Sequence, residues 1–222
     1  VPNGQPDGNR HCWGNMVWRL NDSWPILYWA VVDHYLEPKI PYYFLRRAYE
    51  PVLISFEKTD DRIAVWVVND ALEPVSGRLT VWRKTFKGQV RGELSIDVNL
   101  QPGEARRCLS TTDFGPIYLR TEFLHAEFAG HDATHLLIGE RYLHLPKAKL
   151  DAKLADGQIE VSTDAFARQV TLESRDNMAT HFDDNSFDMP PGSTRTIRVL
   201  EKTKGGSISI HALNADSVQI QW

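Results

Sequence analysis

Arg62-Ile63-Ala64-Val65-Trp66-Val67-Val68, closed by Asn69-Asp70 and followed by Gly77-Arg78-Leu79-Thr80-Val81-Trp82-Arg83, decides the fold class. Both runs are rich in β-branched and aromatic residues, which suit a pleated, half-buried surface. Working outward, Val52-Leu53-Ile54-Ser55-Phe56 precedes them, and Glu93–Val98, Ala105–Ser110, Ile117–Phe128 and His135–Leu145 come after. Asp60-Asp61, Lys87-Gly88, Pro102-Gly103 and Gly130-His131-Asp132 punctuate them as turns. Short strands at this spacing, with no helical pattern between them, predict an antiparallel sandwich or barrel. Trp66, among alternating apolar residues, is expected in its core, and Trp82, followed by Arg83-Lys84, half-exposed.

The same style recurs on a smaller scale further on. Lys149–Leu154, Gln158–Ser162, Gln169–Ser174, Thr194–Leu200, Ser207–Ala212 and Val218–Trp222 read as strands. Asp156-Gly157, Pro190-Pro191-Gly192 and Lys204-Gly205-Gly206 read as turns, and His144-Leu145-Pro146-Lys147 as a linker. Ahead of both β regions the pattern is different. Residues 1–15 are polar and loop-like, Asn15–Asp22 is a short apolar strand, and 38–50 is a helix. Pro38 and Pro41 sit at the helix start, where missing N–H groups cost little. Pro51 ends it, because the residue before proline avoids the α region. Ile40, Phe44, Leu45 and Ala48 form its apolar stripe.

Composition excludes several classes of function. Of 222 residues, 25 are Lys or Arg and 29 Asp or Glu, so the net charge is −4 and no electrostatic footprint for nucleic acid or an anionic membrane exists. No apolar run is long enough to span a bilayer. Two cysteines, Cys12 and Cys108, are too few for a disulfide scaffold and are expected as free thiols. The chain opens on Val1-Pro2-Asn3-Gly4, without Met or a signal peptide, and reads as a fragment of something longer. G-x-S-x-G, Walker, G-x-G-x-x-G and C-x-x-C motifs do not occur, so serine-nucleophile, nucleotide and dithiol chemistry lack support.

The first fifty residues carry a specific resemblance. Gly14-Asn15-Met16-Val17-Trp18-Arg19-Leu20-Asn21-Asp22-Ser23-Trp24-Pro25, then Asp33-His34-Tyr35, Lys39, Tyr43-Phe44, Arg46-Arg47 and Pro51–Ser55, resemble a segment of glycoside hydrolase family 2, most closely its β-mannosidase-like branch. The resemblance implies that 1–51 is the end of a TIM-barrel catalytic domain, its last strand and last helix. It implies a mainly β fold beyond that: one immunoglobulin-like β-sandwich over 52–146 and a terminal one over 147–222. His181–Gly192, with Phe182-Asp183-Asp184-Asn185-Ser186-Phe187-Asp188, is similar to a run of that last domain. Arg19 stands where the family pattern has Gln.

The functional implication of the resemblance is largely negative. A retaining glycosidase needs two carboxyl groups about 5–5.5 Å apart. The family supplies them from earlier barrel strands, so neither catalytic glutamate is expected in this chain and no catalytic residue is assigned. Carbohydrate is met only through the parent enzyme, with no cofactor. No compartment is legible, a periplasmic or extracellular one being compatible with such a parent. Trp18, at a barrel strand end, is the expected sugar-stacking residue, with Asn21, Asp22 and Trp24 as further substrate-binding candidates. The alternative is a non-enzymatic carbohydrate-binding or adhesion sandwich, for which an exposed Trp82 would serve.

Other constellations carry bland readings. Asp22 and Asp33 have no spacing that marks a carboxylate pair, and Glu50 and Glu57 read as solvated. His131 and His135 lie in a turn entering a strand, where i and i+4 are about 13 Å apart, without a third ligand. Asp183, Asp184, Asn185 and Asp188 lack the Gly and Glu positions of a calcium loop and read as a turn satisfied by its own side chains. Outside their barrel, residues 16–30 would expose Ile26, Leu27, Tyr28 and Trp29, which predicts self-association through that stretch.

Overall fold

The computed structural model describes residues 15–59, 62–174, 180–200 and 206–221. Cys12, the Asp60-Asp61 turn, Lys204-Gly205, Trp222 and most of the expected 1–15 loop lie outside them. The chain divides into two compact units. Among the described residues, the first holds those within 15–17, 49–85 and 90–143, and the second those within 18–48, 86–89 and 144–221.

In the first unit, seven strands form two antiparallel sheets. They are β1 (Val52–Lys58), β2 (Ile63–Asn69), β3 (Val75–Thr85), β4 (Val90–Leu100), β5 (Glu104–Ser110), β6 (Glu122–Phe128) and β7 (His131–Leu136). The sheet orders are β1-β2-β5 and β4-β3-β6-β7. Val52, Ile54, Val65 and Val67 of one sheet meet Leu79, Val81, Val98, Leu100, Ala126 and Phe128 of the other in one buried cluster. Each residue set follows the period of two that a sheet with one inward face demands. The strand expected over 117–128 begins only at Glu122, and that expected over 135–145 ends at Leu136. Beyond it the chain makes a short 3-10 turn at Glu140–Tyr142.

Trp66 is not core, contrary to expectation. Val65 and Val67 are 1% and 0% exposed, so strand alternation turns Trp66 to the outer face. There its indole N–H donates to Glu57 Oε2 at 2.8 Å. Because Ile63 to Val68 are all apolar, the sequence alone does not say which alternate set points in.

The second unit ends in a smaller sandwich. It comprises β8 (Leu150–Ala155), β9 (Gln158–Thr163), β10 (Ala167–Ser174), β11 (Phe187–Met189), β12 (Thr194–Arg198), β13 (Ser207–Ala212) and β14 (Ala215–Gln221). Its sheets run β12-β9-β8 and β11-β10-β13-β14. Asp156 and Gly157 take φ of 50° and 76°, the left-handed pair that a two-residue hairpin needs between β8 and β9. The three-residue β11 is too short to read in sequence.

The lead-in, 18–48, also belongs to this unit. The strand expected at 15–22 is an extended stretch with one isolated parallel bridge, Asn21 to Val32. Helix α1 spans Ile40–Ala48 and buries Tyr43. The expected stripe lies outward instead: Ile40 is 43% exposed and Phe44 42%.

Candidate functional site

The four sequence candidates lie close together in the chain but differ in availability. The Trp18–Arg19 peptide is cis. Trp18 is 81% and Trp24 62% exposed, and Asn21 is exposed. Asp22, by contrast, is 2% exposed. Its Oδ1 accepts from Arg19 Nη2 at 2.9 Å and its Oδ2 from Lys39 Nζ at 2.8 Å. Lys39 also donates to the Tyr28 carbonyl at 3.1 Å. The Lys39 ammonium, with Arg19 beside it, holds the Asp22 carboxyl below its ordinary range, against an opposing effect of burial. What screens Asp22 is its own pair of cations rather than a thick apolar core. Both oxygens are therefore committed to fixing the loop 22–30. Trp18, Asn21 and Trp24 are the exposed side chains among the four.

Local backbone bonds complete this frame. Val31 and Val32 donate to the carbonyls of Arg19 and Leu20, and Lys39 N donates to the Val31 carbonyl at 2.9 Å. Asp33 Oδ1 accepts the Tyr35 and Glu37 amides at 2.8 and 2.9 Å, an Asx-type turn. Asp22 and Asp33 are thus each occupied by separate partners. The importance of Lys39 is not legible in the sequence. A lysine seventeen residues after an aspartate has no local signature, and its role exists only once the chain folds back.

The acidic loop of the terminal sandwich is neutralised by arginines. Asp183 pairs with Arg198, Asp184 with both Arg47 and Arg195, and Asp188 with Arg168. Asn185 is 7% exposed; its Oδ1 accepts the Leu172 amide at 2.8 Å and its Nδ2 donates to the Leu172 carbonyl at 2.9 Å. Tyr43 is 3% exposed, and burial pushes its hydroxyl up to about 12. Among the described residues, no group of three or more His, Cys, Asp or Glu is placed to hold a metal ion. A cleft of about 520 Å³ opens in the same unit between Glu37, Tyr43, Glu173, His181 and His211.

In the first unit, Trp82 is half-exposed as expected. Lys84 Nζ lies 4.5 Å from the centre of its ring and His125 stacks at 5.8 Å. His131 and His135 both fall within β7; His131 bonds Glu50, and His135 stacks on Phe56 at 5.1 Å. Cys108 is a free thiol, raised by burial. Among the described residues, no helix is long and apolar enough to cross a membrane.

Two sandwiches of this kind, each mainly antiparallel and consecutive in the chain, define a pair of immunoglobulin-like domains. Residues 61–135 match the family described as "Mannosidase Ig/CBM-like domain", and 143–216 the family described as "Ig-fold domain" of mannosidases. The chain corresponds to the C-terminal region of a β-mannosidase-like family 2 glycoside hydrolase. Beta-mannosidase B of Thermothelomyces thermophilus is 30% identical over 93% of this chain and 28% of its own length. That of Aspergillus niger is 25% identical over 86% of this chain and 26% of its own. The chain therefore spans about a quarter of these relatives. In fold it is similar to the β-D-mannosidase of Dictyoglomus thermophilum, with a TM-score of 0.77 and 22% identity over 90% of this chain and 26% of that one. The exo-chitosanase of Amycolatopsis orientalis gives 0.71 and 18% over 91% of this chain and 30% of that one.

Proposed function

We propose that this chain is the accessory end of a retaining glycosidase that acts on terminal β-linked sugars, β-mannosides first. In this reading 1–51 closes the catalytic barrel, 52–146 and 147–222 are the two supporting sandwiches, and both catalytic glutamates belong to parts of the parent outside this chain. The observation that carries it is the lead-in's surface. Trp18, Trp24, Leu27 and Trp29 are 62–97% exposed around a fully paired Asp22, in a chain whose sandwiches are of the mannosidase type. A stretch whose buried carboxylate is paired on both oxygens while its large apolar side chains are bare is built to meet a neighbour. In the parent, the indole of Trp18 would stack on the C–H face of a sugar and Asn21 would bond a hydroxyl. Asp22 would act indirectly, through Arg19 and Lys39, by holding the loop that carries Trp24.

The carbohydrate-binding alternative depends on Trp82, whose half-exposed indole is already contacted by Lys84 and His125. The test is enzymatic. The 222-residue chain should not hydrolyse an aryl β-mannoside, whereas the parent should, with retention. Trp18→Ala in the parent should lower kcat/KM about tenfold or more, as loss of an aromatic contact plus its buried area. Turnover by this chain alone, or an unaltered Trp18→Ala enzyme, would remove the basis of the reading.

A further inference from the structure

We infer that Arg47 is a positioning residue through which the terminal sandwich holds the lead-in 19–39, and with it the Trp18–Trp24 surface, in place. Helix α1 has nine residues, and helices shorter than about 12–15 residues are marginal in water by themselves. Of its expected stripe, Ile40, Phe44 and Ala48 are exposed and Leu45 is half-buried, so apolar packing on that side supplies little of the missing stability. The docking comes from the other face, where Tyr43 and Arg47 stand one turn apart.

Arg47 reaches three acceptors in the loop before β11. Nη1 donates to Asp184 Oδ1 at 2.6 Å and to the Asn185 carbonyl at 3.1 Å, and Nη2 to the Ser186 carbonyl at 2.9 Å. A planar guanidinium can satisfy such a set at once, and a lysine cannot. The loop itself is rigidly seated. Arg195 holds the second oxygen of Asp184 at 2.6 Å, and Asn185 closes both hydrogen bonds of Leu172 in β10. Tyr43, 3% exposed, is the residue that α1 buries.

At its other end, α1 starts from Lys39. Lys39 ties its amide to Val31 and its ammonium to Asp22 and Tyr28. Between 19 and 39 the remaining order is two isolated bridges, and few side chains are buried beyond Ala30, Val31 and Asp22. One direct contact with the sandwich adds to these, the Glu37 carboxylate 3.7 Å from His181 Nε2. The route is continuous: sandwich loop, Arg47 and Tyr43, α1, Lys39, Asp22. Only the last step, from an ordered 19–39 to sugar contact, rests on the proposed glycosidase function.

Hydrogen exchange on the whole chain tests this without a sugar. In Arg47→Ala, the amides of Val31, Val32 and Lys39 should exchange roughly tenfold to a hundredfold faster, while Val161, Leu172 and Ile210 of the sandwich keep their protection. Arg47→Lys should give an intermediate increase, and is read in the same way should Arg47→Ala fail to fold. Arg198→Ala, which breaks only the exposed pair with Asp183, should leave all six amides unchanged. Unchanged exchange at 31, 32 and 39 would overturn the inference. So would equal loss across the sandwich, since Arg47 would then be a general stabiliser. An inactive parent with the expected exchange pattern would count against the glycosidase reading alone.

Discussion

Replacing Asn185 by Ala should lower the unfolding temperature of the second unit by roughly 10 °C. The side chain makes two bonds to the Leu172 backbone, at 2.8 and 2.9 Å, and Leu172 is 2% exposed. It stands in for a neighbouring strand just beyond Val170–Phe187, the last pair of the β10–β11 ladder. Alanine strands the Leu172 N–H and carbonyl, each at about 1–3 kcal/mol when water does not reach it, and also removes the Oδ1 to which the Ser186 amide donates at 2.8 Å. The adjoining cleft, lined by both Leu172 and Asn185, lets some water in, which brings the sum to about 2–4 kcal/mol. At about 4 °C per kcal/mol for a domain of this size, the shift is near 10 °C. Asn185→Asp sharpens the test. The carboxylate still accepts the Leu172 amide but faces the Leu172 carbonyl with no donor. Its deficit should shrink at low pH, where protonation restores one. Differential scanning calorimetry resolves the transition of each unit. A change of less than about 2 °C in Asn185→Ala, or an equal shift in both transitions, would refute the strand-substitute argument.

Gly92→Ala should destabilise the first unit by about 1–3 kcal/mol in chemical denaturation, because its Cβ would stand 2.8 Å from the Phe114 ring. The first unit should also weaken as pH falls from about 7 toward 5. Burial holds His125 below its ordinary 6.5, with Glu127 opposing, and holds His135 down too, with Lys58 adding. The unfolded chain then binds more protons at acidic pH, so stability drops; a His125→Gln, His135→Gln double variant should show a flatter profile of Tm against pH. Trp18→Ala should leave the stability of this chain within about 0.5 kcal/mol, since an 81% exposed side chain loses little packing, and denaturant titration checks it. We expect self-association through 16–30, where Met16 and Leu27 are 95% and 97% exposed; light scattering across a dilution series should show it, and Leu27→Ser with Trp29→Ser should weaken it.

The sandwiches are legible in sequence because each strand carries its own turn chemistry and β-branched pattern. Asp156-Gly157 and Pro102-Gly103 fall at hairpins or strand ends where positive φ is required. Facing and length are harder to read. Trp66 lies on the side opposite to the expected one because apolar residues fill every position from 63 to 68. Ile40, Phe44 and Ala48 are the apolar set of the helix and should face inward, yet the buried residue is Tyr43. Amphipathic patterns report where a neighbour belongs in the native assembly, and this one points to a neighbour other than the terminal sandwich. The acidic loop reads as satisfied locally. Asn185 and Asp184 do make such bonds, but the arginines 47, 168, 195 and 198 arrive from elsewhere along the chain and have no signature within it.

The lead-in also explains why one aspartate and two tryptophans of the same short run play opposite parts. A carboxylate exposed beside a sugar hydroxyl competes with water and gains little, whereas one fixed between two cations sets backbone geometry. An indole works the other way. Buried, it would only fill volume; bare and held on a stiff loop, it offers a flat apolar face at low entropic cost. In the proposed reading, the pairing of Asp22 with Arg19 and Lys39 is what would let the exposed Trp18 and Trp24 serve a sugar. Arg19, in the place of the family's Gln, adds the second of those cations and spreads over Tyr28 at 5.4 Å. An Arg19→Gln exchange should keep the Lys39 contact and loosen only the first turn of the loop. Lys39→Met should release Asp22 and Tyr28 together and raise backbone exchange at 31 and 32, and equal effects of the two exchanges would contradict this division of labour.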